Sequence, residues 1–154
     1  MQVYRPPVQD MRFALELFGY EEVQNLEKYA DYDVETLIAM LEETAKFAVN
    51  EMLPLNQKGD REGLKFDPET GEVTTPEGFK ALYKKFVDSG IAAINYPIEF
   101  GGGGAPHAMG IGMSELSTAT NKSFSMCPGL NSGLAEETAP GASRARYRPA
   151  RAPG

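Results

Sequence analysis

The sequence predicts an all-α fold that contains one small hairpin-like loop. Apolar residues recur at the spacing of helix faces in most segments, and the breaks between these segments carry residues that start and stop helices. The chain has 154 residues, 42% of them hydrophobic and 24% charged, which is typical of a globular domain. We therefore expect one helical core, and the elements follow in chain order.

The first segment, residues 1–32, is predicted to be an arm followed by a short helix. Pro6 and Pro7 favour extended backbone and disfavour an early helix. Asp10 is expected to cap a helix whose apolar positions run to Phe18, and Gly19 is placed to end it.

The strongest periodic signal begins after Asp33, a good N-cap residue. An apolar stripe continues from Val34 to Met52 while charged residues lie off it, which predicts a one-sided helix of about five turns. Pro54 is expected to end this helix, and the polar residues that follow read as loop.

The hairpin-like loop is predicted at residues 64–66 and 72–74, around the turn-forming residues 67–71. Thr75 is then expected to cap a helix that has an aromatic face and ends at Gly90. That face is predicted to consist of Phe79, Leu82, Tyr83 and Phe86.

A flexible glycine connector, residues 101–104, is expected to lead into a helix over residues 107–120 that is small or apolar nearly all round and belongs inside a layer of other helices. A further helical piece is predicted over residues 123–134, with Pro128 and Gly129 breaking its first half. Residues 33–134 thus form the predicted helical domain. Residues 135–154, rich in Ala, Arg and Pro, are predicted to be an unstructured tail.

Charge and composition exclude several classes of function. The net charge of −7 argues against nucleic acid or an anionic membrane as partner, because both need a basic face. No stretch is long and apolar enough to predict a membrane span, and the first residues do not resemble an export signal. A single cysteine, Cys127, favours a reducing setting, so we expect a cytoplasmic protein.

The local motifs predict no catalytic or metal site. The run 101–104 lacks the spacing of a phosphate loop, and His107, the sole histidine, has no second imidazole with which to bind a metal. Cys127 is expected to be a packed, unreactive thiol. Four further residues suggest a calcium loop, but Lys58 occupies a position where a ligand is needed; they are Asn56, Asp60, Glu62 and Asp67.

An ordered series of short segments resembles the start of the acyl-CoA dehydrogenases, above all the larger bacterial type that includes the 3-methylmercaptopropionyl-CoA dehydrogenases. The segments span about residues 4–134. They include Arg12-Phe13, Pro54-Leu55-Asn56, Gly59-Asp60-Arg61-Glu62-Gly63, Thr74-Thr75-Pro76-Glu77-Gly78-Phe79-Lys80, Gly101-Gly102, Asn121 and Met126-Cys127-Pro128-Gly129-Leu130. Two local departures are Ile91, where the family usually has an aromatic residue, and Gly103, where it usually has a polar one.

The resemblance implies the N-terminal helical domain of an enzyme that dehydrogenates an acyl-CoA thioester with FAD and passes electrons to an electron-transfer flavoprotein. It also implies that Phe124, Ser125, Pro128 and Gly129 line the acyl pocket. The family's flavin-binding β domain and its catalytic glutamate have no counterpart in this sequence. We therefore expect a fragment that binds no FAD, is inactive alone and self-associates.

Two alternatives remain open from the sequence. The chain could be a non-enzymatic helical interaction domain, or a neighbouring reading frame could supply the remaining domains as a separate polypeptide. The tail 135–154 resembles nothing in the family and has the composition of out-of-frame, GC-rich coding sequence.

Overall fold

The structure is a computed structural model that describes the backbone of residues 3–138 and the side chains of residues 3–130. Seven α-helices and one two-stranded sheet make up this part of the chain. The helices are α1 (Val8–Leu17), α2 (Tyr20–Gln24), α3 (Val34–Phe47), α4 (Leu53–Glu62), α5 (Phe79–Asp88), α6 (His107–Thr120) and α7 (Lys122–Thr138). The strands are β1 (Lys65–Phe66) and β2 (Val73–Thr74). The all-α prediction is confirmed.

The N-terminal segment belongs to the same core as the rest of the described chain. Helix α1 begins directly after Pro7, whose carbonyl accepts a hydrogen bond from the Met11 N–H at 3.0 Å. Asp10 therefore lies in the first turn, and its predicted role as the cap is wrong. The sequence analysis also missed α2. Val8 of α1 and Tyr20 of α2 are buried in the main apolar cluster, next to α3.

Helix α3 is the centre of the core and begins where predicted. The Asp33 carboxylate accepts a hydrogen bond from the Thr36 N–H at 2.7 Å, which confirms Asp33 as the cap. The buried face of α3, with Leu37 and Leu41, packs against α1 on one side and α6 on the other. Helix α6 approaches closely at Gly112, where an added Cβ would lie 2.7 Å from a methyl carbon of Leu41.

The predicted end of this helix near Pro54 is wrong. The chain passes from α3 through a π-helical turn, Ala48–Met52, directly into α4, which continues to Glu62. Pro54 lies in the first turn of α4, where a missing N–H and a fixed φ angle are tolerated. The π turn is a change of hydrogen-bond register that the apolar periodicity did not reveal.

The predicted hairpin is confirmed. Strands β1 and β2 pair antiparallel, with Phe66 opposite Val73, and the Asp67 carboxylate accepts hydrogen bonds from two N–H groups of the turn. The predicted cap at Thr75 is wrong, because α5 begins only at Phe79, after Gly78 with a φ angle of 94°. Residues 75–78 form a turn between the strand and the helix, in which the Phe79 N–H donates to the Pro76 carbonyl at 3.2 Å.

The glycine connector is held in place by its own backbone. The N–H groups of residues 102–105 donate to the carbonyls of residues 93–97 at 2.9–3.1 Å. An added Cβ would lie 2.2 Å from the Tyr96 carbonyl oxygen at Gly102 and 2.5 Å from that of Ile94 at Gly103. The expectation of a flexible connector is therefore wrong, and glycine is required here for close backbone approach.

Helix α6 has the predicted bounds, but its predicted surroundings are only partly correct. Met109, Met113 and Leu116 are buried, whereas Ile111 is 59% exposed and Glu115 is also exposed. Helix α6 is therefore not buried on all sides, because the side that faces away from α3 is exposed.

Helix α7 continues through Pro128, so the predicted break at Pro128 and Gly129 is wrong. Helix α7 contacts α4 and α6. The expected boundary after residue 134 falls inside α7, and residues 139–154 of the expected tail lie outside the described part of the chain. Within the described part, no helix combines the length and apolar character that crossing a bilayer requires.

Candidate functional site

A hollow of about 640 Å³ lies between α6, α7 and the short helical turn Ile91–Ala93. We call it the first hollow. Its inner wall is apolar and includes the buried side chains of Met52, Phe86, Met113 and Phe124. Its rim is polar. The other lining residues are Ile91, Ala92, Asn95, His107, Gly110, Ile111, Ser114, Glu115, Ser117, Thr118, Ser125, Pro128 and Gly129.

All four residues that the resemblance assigns to an acyl pocket line this one hollow. Phe124, Ser125, Pro128 and Gly129 project from two successive turns of α7. Phe124 is buried, Ser125 and Pro128 are half-buried and Gly129 is exposed. The Ser125 hydroxyl donates to the Lys122 carbonyl at 2.9 Å and lies 3.5 Å from the Thr118 hydroxyl. The arrangement suits an apolar chain inside and a polar group at the rim.

Asn121 positions this wall. Its side chain is fully buried, and its amide donates to the Met52 carbonyl at 3.0 Å. Its amide oxygen accepts from the Phe124 N–H at 3.1 Å and from the Ser123 hydroxyl at 3.0 Å. Asn121 therefore caps α7 and ties it to the π turn that carries Met52. The sequence analysis gave it no structural role, although an Asn directly before a helix is a recognisable cap signal.

The N-terminal arm approaches the rim of the hollow. Burial of the Tyr4 phenol, together with the nearby Glu115 carboxylate, raises the pKa of Tyr4. Met11 and Leu15 of α1 pack against the same apolar cluster that supplies the hollow's inner wall. The arm thus belongs to the structure that supports this site.

A second hollow, of about 550 Å³, lies on the other side of Phe124. It is lined by Gly59, Gly63, Leu64, Val73, Thr75, Pro76, Phe79, Lys80, Tyr83, Ser123, Phe124 and Cys127. The hairpin forms one side of it, and α5 and α7 form the other. Cys127 is an exposed free thiol at this hollow, so the expectation of a packed cysteine is wrong.

The remaining sequence candidates do not converge. His107 is exposed at the start of α6, and the N–H groups of the glycine connector are bonded to backbone carbonyls rather than free for an anion. The Asp67 carboxylate is engaged with its own turn. Among residues 3–130, whose side chains the structure describes, no three His, Cys, Asp or Glu side chains are grouped in a way that could hold a metal ion.

The series of segments noted in the sequence corresponds to a known domain. Residues 35–140 match the family described as “Acyl-CoA dehydrogenase, N-terminal domain”. The chain belongs to the acyl-CoA dehydrogenase family. The match covers more than half of the chain. It includes α5, α6 and α7, the helices that line the two hollows.

Two curated acyl-CoA dehydrogenases are similar to this chain. One is 3-methylmercaptopropionyl-CoA dehydrogenase from Ruegeria pomeroyi, 37% identical over 131 residues, which are 84% of this chain and 22% of that protein. The other is a broad-specificity linear acyl-CoA dehydrogenase from Mycobacterium tuberculosis, 29% identical over 130 residues, which are 84% of this chain and 21% of that protein. The chain spans about a fifth of the length of these relatives.

Proposed function

We propose that this chain supplies the N-terminal wall of an acyl-CoA-binding site in an enzyme that dehydrogenates acyl-CoA thioesters. The observation that carries the proposal is the convergence of Phe124, Ser125, Pro128 and Gly129 on one hollow with an apolar inner wall and a polar rim. The cofactor of such an enzyme would be FAD, and its electron acceptor would be an electron-transfer flavoprotein. A cytoplasmic setting, supported by the lone free thiol of Cys127, is part of the same proposal.

The chemistry of the first hollow fits the acyl part of such a substrate. Met52, Met113 and Phe86 offer soft apolar surface, and thioether side chains adapt to irregular alkyl conformations. The hydroxyls of Ser114 and Thr118 at the rim provide hydrogen-bonding groups where a thioester would leave the hollow. The chain's own role in this proposal is to bind and orient the acyl group and to exclude water from it.

The linings of the two hollows do not fit FAD itself. The diphosphate of a dinucleotide needs cationic side chains or a cluster of free backbone N–H groups. The charged residue at the first hollow is the Glu115 carboxylate, and the second hollow offers Lys80 alone. We therefore propose that FAD, like the base that removes the α-proton, depends on parts of a longer enzyme that this chain does not contain.

The first test uses the purified chain. It is expected to be colourless after purification and to give no acyl-CoA-dependent reduction of an artificial electron acceptor in the presence of added FAD, because a base must lie within hydrogen-bond reach of the proton it removes. Reduction that co-purifies with the chain, in a host lacking its own acyl-CoA dehydrogenases, would contradict this part of the proposal.

The second test is a chimera in which residues 4–134 replace the matching part of the Ruegeria pomeroyi relative. The chimera is expected to bind FAD and oxidise an acyl-CoA. Within it, Gly129→Leu should lower kcat/KM by about tenfold or more by filling the hollow, since open space surrounds this position. Ala119→Leu, an exposed change on α6 outside the hollow, is the matched control. A folded, FAD-bound chimera with no activity would count against the proposal.

A second candidate is a non-enzymatic helical interaction domain. It is favoured by the apolar surface of α7, where Met126 is 60% and Leu130 is 80% exposed. Another domain of a longer enzyme would cover this surface in the same way. Activity of the chimera would favour the enzymatic function, and a stable complex of the isolated chain with another protein in the absence of that activity would favour the alternative.

A further inference from the structure

The proposed acyl site makes no use of the second hollow, although that hollow has the size of a ligand site. Its volume of about 550 Å³ lies within the usual range of small-molecule sites, roughly 300–1,000 Å³. Phe79, Tyr83 and Phe124 line it. The ring centroids of Phe79 and Tyr83 lie 6.2 and 6.4 Å from that of Phe124, and both rings meet the Phe124 ring edge to face. The hollow therefore has an aromatic wall.

Close packing at Gly59 fixes the position of this wall. Gly59 is buried in α4, and an added Cβ there would lie 2.5 Å from the Phe79 ring and 3.2 Å from the Ser123 hydroxyl oxygen. Helix α4 thus lies directly against the Phe79 ring and the start of α7. Aromatic side chains have only two χ angles, so contact with such a wall costs little side-chain ordering. The wall suits a flat, rigid group.

Lys80 is the charged residue among those that line the second hollow. Three other lysines on α4 and α5 each lie 2.6 Å from a carboxylate, in the pairs Lys58–Glu77, Lys84–Asp88 and Lys85–Glu51. Lys80 forms no such pair with the residues whose side chains the structure describes, although the chain has 22 acidic residues. An unpaired ammonium beside an apolar wall favours a ligand with one negative charge.

The lining favours an aromatic carboxylate over other anions. A ring in contact with Phe79, Tyr83 and Phe124 gains edge-to-face or stacked contacts in addition to the burial of its area. A flexible alkyl chain gains the buried area alone and loses rotamer freedom when it is held. A phosphate monoester carries up to two negative charges, and the lining offers one cation to balance them. A carboxylate carries the single charge that Lys80 matches.

We infer that the second hollow is a binding site for an aromatic carboxylate, in which the acid group pairs with Lys80 and the ring lies against Phe79, Tyr83 and Phe124. Apart from Phe124, the residues that line it are different from those of the first hollow. The ligand is recognised by one charge and by ring contacts. Neither depends on the acyl-CoA chemistry proposed above.

The first experiment compares 2-naphthoate, a two-ring carboxylate, with its neutral counterpart 2-naphthamide. Isothermal titration calorimetry of the 154-residue chain should show that both bind. The carboxylate should bind about two- to fivefold more tightly, which is the gain expected of one exposed ion pair. In Lys80→Met this preference should vanish while the affinity for the amide stays unchanged, and circular dichroism shows whether the variant is folded.

Lys122→Met is the matched control. Lys122 is an exposed lysine at the start of α7 that lines neither hollow, so its replacement removes the same charge and should leave the preference for the carboxylate intact. Salt provides a measurement that needs no variant. In the wild-type chain the preference should shrink towards unity in about 1 M sodium chloride, because salt screens an exposed ion pair.

Cys127 locates the bound ligand, because it is the chain's single cysteine and its exposed thiol lines the second hollow. The rate of its reaction with the neutral reagent 4,4′-dithiodipyridine should fall as 2-naphthoate is added, with half the effect at the dissociation constant found by calorimetry. Octanoate, an alkyl carboxylate, should protect the thiol only at concentrations about two- to tenfold higher, because it lacks the ring contacts.

Several results would overturn the inference. One is binding of 2-naphthoate that leaves the reactivity of Cys127 unchanged, since the ligand would then lie elsewhere. Others are absence of binding, a preference that persists in folded Lys80→Met or in high salt, and an equal loss of preference in Lys122→Met. Protection by octanoate at the same concentration would overturn the aromatic class of the ligand. Activity of the chimera tests the proposed function separately, so the two failures can be distinguished.

Discussion

At the scale of single residues, Asn121 joins the start of α7 to the π turn that precedes α4. Its amide group satisfies the Met52 carbonyl of the π turn and caps α7 at Phe124. Thr120, also fully buried, bonds the Leu116 carbonyl at 2.8 Å in the preceding turn. Burying these two polar side chains does not destabilise the core, because each is hydrogen-bonded there.

Replacing Asn121 should therefore be costly. Asn121→Ala removes a helix cap and leaves the buried Met52 carbonyl without this donor, and we expect a loss of about 2–4 kcal/mol in the free energy of unfolding. Urea unfolding followed by circular dichroism measures it. Asn50→Ala, an exposed change on the same π turn, should have little effect. A loss below about 1 kcal/mol for Asn121→Ala would contradict the role assigned to it.

Asp33 should make the stability of the chain depend on acid pH. A hydrogen bond from the Thr36 N–H lowers the pKa of Asp33 below its ordinary value of 3.8, and a smaller effect of the same sign comes from a hydrogen bond with the Thr36 side chain. Since the folded-state pKa is the lower one, the stabilisation is fully present above the unfolded-state pKa and is lost as pH falls through the folded-state pKa.

Asp33→Ala should accordingly lower the melting temperature by a few degrees at neutral pH, and the difference from wild type should shrink as the solution is acidified below pH 3.8. Asp31→Ala, an exposed carboxylate change two residues earlier, serves as the control. A difference between wild type and Asp33→Ala that stays constant on acidification would show that the cap is not the cause.

At the scale of elements, the connector into α6 shows how glycine requirements depend on tertiary contacts. Gly102 and Gly103 face the carbonyls of Tyr96 and Ile94 at distances that leave no room for a Cβ. Gly129 on α7, by contrast, has open space around it. The same residue type is thus essential in one element and replaceable in the other.

Two alanine substitutions should separate these cases. Gly102→Ala forces the connector away from residues 93–97 and should cost about 1–3 kcal/mol of stability. Gly129→Ala should be neutral or stabilise the fold by up to roughly 1 kcal/mol, because alanine is the better helix former. Chemical unfolding of both variants tests the contrast. Equal effects from the two substitutions would contradict the close approach at the connector.

At the scale of the whole molecule, the described surface carries many apolar side chains. Phe18, directly after α1, is 86% exposed, Leu130 on α7 is 80% exposed and Ile111 on α6 is 59% exposed. Isolated exposed apolar residues are ordinary, but those on α6 and α7 flank the first hollow and enlarge its apolar surroundings. An exposed apolar face of this kind favours association with another apolar surface.

The chain by itself should therefore self-associate. Sedimentation velocity is expected to show species that grow with protein concentration, together with binding of a hydrophobic dye. The double variant Ile111→Lys and Leu130→Lys should shift the distribution towards monomer, whereas Phe18→Lys, directly after α1 and outside both α6 and α7, should change it less. A monomer at all concentrations in the wild-type chain would contradict the prediction.

The sequence by itself determined the features that depend on neighbouring residues. The cap at Asp33, the hairpin around Asp67, the stop at Gly90 and the bounds of α6 were all predicted, because each is set by short-range hydrogen bonds and backbone angles. The resemblance also named the four α7 residues that the structure brings to one hollow.

Only the tertiary structure decided the rest. The π turn joins α3 directly to α4, and α7 continues through Pro128 because its packing against α4 and α6 outweighs the helix-breaking preference of proline. The connector is held by carbonyls several residues away, and Phe124 is enclosed because α5 brings three aromatic rings against it. Contacts between distant segments have no local signature, since their energy exists only once the segments are packed together.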